Sequence, residues 1–65
     1  MTLQDFDFVV LEDYIVGVNS GIKIVEEFYS NNTVKKKQYM DCIITGIFIL
    51  NESKLVVNID APKEV

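Results

Sequence analysis

Isoleucine and valine fill 17 of the 65 positions, against four leucines and one alanine. That imbalance limits the folds open to the chain more than any other feature. β-Branched side chains are stiff at χ1 and pack well on a pleated surface, whereas helices favour Ala and Leu. The expected fold class is therefore all-β. A chain of this length forms one domain, residues 1–65, and buries only about 60% of the surface its unfolded form exposes. A hydrophobic content of 49% offsets the ordering entropy by a narrow margin. Self-association would add buried area, so a homodimer is the expected state.

The apolar pattern divides into short runs. Phe6, Phe8 and Val10 alternate with Asp5, Asp7 and Val9, which predicts a first strand near residues 5–11. Tyr14 to Val18 reads as a second strand, closed by the turn signal Asn19-Ser20-Gly21. Residues 22–30 fit two templates. As a helix, Ile22, Val25, Phe28 and Tyr29 share a face behind Ser20 as N-cap; as a strand, Ile22, Ile24, Glu26 and Phe28 do. The strand is preferred because Asn31-Asn32 can turn a hairpin, setting Glu27 opposite Lys36 and Glu26 opposite Lys37. Tyr39 to Leu50 is strongly apolar, with Met40 and Phe48 expected in the core and Gly46 marking a bulge or close approach. A turn at residues 51–54 leads to the strand Leu55–Ile59, which Pro62 ends. The result is five short antiparallel strands in hairpin order, as a small barrel or a strand-sharing dimer. Apolar runs this continuous imply a sheet covered on both faces, with a second subunit as one possible cover.

Missing residue types narrow the chemistry. The chain has no His, Trp or Arg, and Cys42 is its one cysteine. The commonest general base is absent, one thiol cannot build a zinc site unaided, and Gly17, Gly21 and Gly46 are too scattered for a phosphate loop. No catalytic residue, cofactor or metal is expected. No run reaches the roughly 18 apolar residues of a membrane-crossing helix. The N-terminus carries early acid and no basic segment, unlike a secretory leader. These features point to a non-enzymatic cytoplasmic module without a membrane role.

Two clusters are candidate contact sites. Lys35, Lys36 and Lys37, flanked by Tyr29 and Tyr39, could meet phosphates and stacked bases, or an acidic protein. The plainer alternative is a solvated hairpin arm neutralised by Glu26 and Glu27. Asp5, Asp7, Glu12 and Asp13 form an acidic patch beside Phe6 and Phe8, suited to docking on a basic groove. Its plainer alternative is the polar face of a strand. Cys42 is expected to act as a small buried hydrophobe.

The tail Leu55-Val56-Val57-Asn58-Ile59-Asp60-Ala61-Pro62-Lys63-Glu64-Val65 resembles the hallmark of the carbon storage regulator (CsrA/RsmA) family of small RNA-binding translational regulators. With the hairpin from Asp41 onward, the resemblance covers residues 41–65 and is specific only at its last seven positions. It implies a β subunit that completes itself by sharing strands with a second copy. The start, Thr2-Leu3-Gln4-Asp5, lacks the family's opening motif, and no RNA-contacting residue of the family maps onto a position here. Two functions follow. The first is a protein-binding module of the regulator or inhibitor kind, acting as a homodimer. The alternative is an RNA-binding post-transcriptional regulator.

Overall fold

Thr2 closes a capping box: its hydroxyl accepts from the Asp5 N–H at 3.3 Å while the Asp5 carboxylate accepts from the Thr2 N–H at 3.1 Å. That reciprocal pair satisfies two of the donors a helix start leaves open. The N-terminal segment therefore begins a helix, α1 (Leu3–Val9), and not the strand that the Phe6/Phe8/Val10 alternation predicts. Leu3, Phe6 and Val10 fit the spacing i, i+3, i+7 of a helical stripe just as well. The cap and the core contacts of that stripe decide between the two periods.

The computed structural model describes residues 1–51 and 54–61. After α1 come β1 (Ile15–Ser20), β2 (Lys23–Tyr29), α2 (Thr33–Gln38), β3 (Ile44–Asn51) and β4 (Lys54–Asp60). The strands form a four-stranded sheet in the order β2-β1-β4-β3. β1 pairs antiparallel with β2 and β3 with β4, but the two central strands β1 and β4 run parallel. The fold is thus mostly β with a mixed, open sheet. Among the described residues there are four strands where five were expected and two helices where none was, and the sheet does not close into a barrel. The strand reading of residues 22–30 agrees with β2. The strand expected after Asn31-Asn32 is α2, because the Asn32 side chain accepts from the Lys35 N–H at 3.2 Å and caps a helix. The expected turn residues Glu52 and Ser53, and Pro62 to Val65 of the tail, lie outside the described residues.

Gly21, at φ +65°, opens the two-residue loop between Ser20 and Lys23. A side chain there would strain the backbone, so glycine sets this hairpin. Val16 and Val18 of β1, Phe28 of β2, and Val57 and Ile59 of β4 point to one face. Leu3 and Phe6 of α1 and the adjoining Tyr14 pack on them as the core. Phe6 meets Tyr14 edge-to-face at 5.1 Å, and Tyr39, just past α2, stacks on Phe28 at 5.7 Å. Both helices lie on this face.

Candidate interaction surfaces

The opposite face of the sheet carries no helix among the described residues. Register places Tyr29, Ile15, Val56 and Phe48 side by side across all four strands there. Tyr29 and Phe48 are exposed, and Ile15 and Val56 half-buried. The next row is Glu27, Gly17, Asn58 and Gly46. The two glycines in it are filled by neighbours: the Asn58 amide lies over Gly17 and the Phe48 ring over Gly46.

The two edges of the sheet differ in charge. β2 (KIVEEFY) carries Lys23, Glu26 and Glu27, whereas β3 (ITGIFILN) carries no charged residue. Charged side chains on an edge strand discourage pairing with another chain. Ile47, Phe48, Ile49 and Leu50 are all exposed, Ile49 at 78%. Phe48 is therefore surface and not core, while Met40 is half-buried beside the core. The first residues of β3 already have an outer neighbour. Met1 C=O accepts from the Ile44 N–H at 2.9 Å, Leu3 N–H donates to Cys42 C=O at 2.9 Å, and Thr2 bridges Ile43. This cover ends at Ile44, because the chain turns into α1 at Leu3.

The charged candidates are largely engaged within the fold. Lys35 pairs with Glu26, whose carboxylate also accepts from the Tyr39 hydroxyl at 2.7 Å. The Lys35 bond, helped by that of Tyr39, holds the Glu26 carboxyl below its ordinary range, and the same carboxylate pushes the Tyr39 hydroxyl up. Asp7 accepts from Lys36 Nζ at 3.2 Å and from the Tyr14 hydroxyl at 2.8 Å. Burial, then the Asp7 bond, raises the Tyr14 hydroxyl far above the ordinary phenol. Asp5 serves the α1 cap, Asp13 accepts from Ser30 Oγ at 3.4 Å, and Glu12 is exposed. Lys37 is exposed and forms no ion pair among the described residues. Tyr29 points away from α2 on the other face of the sheet, so it and the lysines do not share a surface. Cys42 is half-buried, and burial, then Asp41, raises its thiol and disfavours the reactive thiolate.

The sequence pattern allows a second subunit to cover the apolar runs, but it does not single out Ile47, Phe48, Ile49 and Leu50 as contact residues. The available signal was a stretch of eight residues, Ile43–Leu50, with no charge to protect it. Among the described residues no group of three His, Cys, Asp or Glu side chains is placed to hold a metal ion, and no helix is long and apolar enough to cross a membrane. No family model, curated protein or solved structure matches the chain.

Proposed function

We propose that the protein is a non-catalytic binding module of the regulator or inhibitor kind, acting by protein–protein contact as a homodimer joined through β3. One observation carries this reading: β3 is an edge strand without charge, apolar on both faces, and among the described residues nothing covers its edge from Gly46 to Leu50. A strand like this gains main-chain hydrogen bonds and side-chain burial when another strand is added to it. The other edge, β2, carries the charges that discourage such pairing. The tail's resemblance to a strand-sharing family supports the same state. The RNA-binding alternative draws less support, because within the Lys35–Lys37 cluster Lys35 and Lys36 are held by Glu26 and Asp7, which leaves Lys37 of that cluster for a phosphate.

Sedimentation velocity from micromolar to millimolar protein tests the proposal. The natural chain should sediment as a dimer that dissociates on dilution. Ile49→Lys should remain monomeric at every concentration with an unchanged circular dichroism spectrum, since Ile49 touches little of its own subunit. A natural chain that stays monomeric at millimolar concentration overturns the reading.

A further inference from the structure

We infer that two copies join their β3 strands antiparallel about a two-fold axis at Phe48, giving one continuous eight-stranded sheet. The inference rests on the dimer proposed above and adds its register. An antiparallel edge pair of identical strands is related by an axis perpendicular to the sheet. Opposed residues must then share a face, so the axis passes through a residue and not between two. Only a few positions are open to it. β3 is irregular between Ile44 and Gly46 and again between Ile49 and Asn51, so its regular stretch is Gly46–Ile49.

An axis at Ile47 would set Leu50 of the second copy against Ile44, whose N–H is already given to Met1. An axis at Ile49 would set Ile47 against Asn51, beyond the second irregularity of β3, and would shorten the regular ladder. An axis at Phe48 pairs Phe48 with its own copy, Ile47 with Ile49 and Gly46 with Leu50, and avoids the N-terminal cover.

The sequence about Phe48 reads the same in both directions, Ile47-Phe48-Ile49, so the edge is complementary to a second copy of itself. Each chain carries a net charge of −4, and β3 brings none of it to the contact. Aromatic and β-branched cross-strand pairs are those that stabilise sheets best. The axis also doubles the open-face row, so that Tyr29, Ile15, Val56 and Phe48 of one copy continue into Phe48, Val56, Ile15 and Tyr29 of the other. Ile47, Phe48, Ile49 and Leu50, each about half exposed or more, offer on the order of 400 Å² per copy, under the ~800 Å² of a standard interface. The dimer is therefore expected to be concentration-dependent, and added salt should tighten it by screening the repulsion between copies.

Cysteine pairing reads the register directly. In a Cys42→Ser background, Ile47→Cys and Ile49→Cys chains are mixed under mild oxidation. Directly opposed positions lie about 4.5–5.5 Å apart at Cβ, close to disulfide reach. The expected result is a mixed disulfide forming about tenfold faster than either chain oxidises alone. Ser20→Cys, on the distant hairpin, provides the background rate. Because Phe48 is kept in both chains, the contact at the axis is not weakened. A faster Ile47–Ile47 or Ile49–Ile49 disulfide moves the axis and overturns the register. Oxidation at background rates in a chain that still sediments as a dimer also overturns it, and leaves the dimer itself standing. A monomer at every concentration overturns both.

Discussion

Phe6 and Phe8 lie two residues apart, and their truncation separates a helical N-terminus from a stranded one. In a strand they would share a face and lose similar stability when cut to alanine. In α1 they do not: Phe6 is 6% exposed and packed edge-to-face on Tyr14, whereas Phe8 is 76% exposed. Phe6→Ala removes a buried ring and leaves a cavity, at a cost of about 3–5 kcal/mol. A domain of this length holds roughly 3–10 kcal/mol in total, so the loss approaches the whole at the lower end. Phe8→Ala should stay within about 0.5 kcal/mol, helped by the better helix propensity of alanine. The assay is urea unfolding followed by circular dichroism, at one fixed protein concentration so that dimer dissociation contributes equally. If Phe6→Ala is unfolded in buffer, both variants are measured in a stabilising osmolyte, which shifts each curve without changing their order. In melting temperature the contrast is at least ~10 °C, taking about 4 °C per kcal/mol for a small domain. Equal losses for the two variants would refute the helix and restore a strand over residues 5–11.

Two further predictions concern the sheet and the ion pairs. Glu26 is held below its ordinary value of 4.5 by Lys35 and Tyr39, so its contribution is full above that value and fades as pH falls through the lower folded one. Glu26→Gln should thus be less stable than the natural chain at neutral pH, with the gap closing in acid; urea midpoints at several pH values read it, and a gap that widens in acid would contradict the assignment. A Cβ on Gly17 would lie 2.7 Å from Asn58 Oδ1, the free end of a side chain that can turn aside, so Gly17→Ala should cost no more than about 1 kcal/mol. The double variant with Asn58→Ala should recover most of that loss, and purely additive losses would mean the amide is not what fills the space.

How far the sequence could be read depended on whether one period or two fitted each segment. β1, β2 and β4 were legible because β-branched residues and turn signals agree there: Gly21 can adopt φ +65° and closes the β1–β2 hairpin. Residues 3–10 were not. Phe6, Phe8 and Val10 satisfy a period of two, while Leu3, Phe6 and Val10 satisfy a helical one, and the choice rests on the Thr2–Asp5 cap and on contacts made with distant strands. α2 was missed for a related reason. Asn31-Asn32 can turn a hairpin or cap a helix, and charge pairing does not discriminate, since Lys35 reaches Glu26 from a helix as Lys37 would have from a strand. The parallel pairing of β1 with β4 leaves no local trace, because it joins segments about forty residues apart. Of the candidate contacts, the lysines and acids were visible as residue types, but their engagement inside the fold was not.

The same contrast explains why the apolar run at residues 43–50 reads as core but lies largely at the surface. Hydrophobicity reports that a segment needs cover, not which chain provides it. α1 and α2 cover β1, β2 and β4 with Leu3, Phe6 and Tyr39, and their reach ends before the distal half of β3. β2 is also an edge, yet it carries three charges and one of them, Glu26, is tied to α2. β3 has neither the charges nor the helix, and the N-terminal segment protects only its first residues. An edge left in this state would drive open-ended aggregation if any strand could add to it. Pairing about a two-fold axis consumes the edge on both copies at once and leaves the charged β2 strands outermost, so a closed dimer would cover β3 without presenting an uncharged edge to further copies.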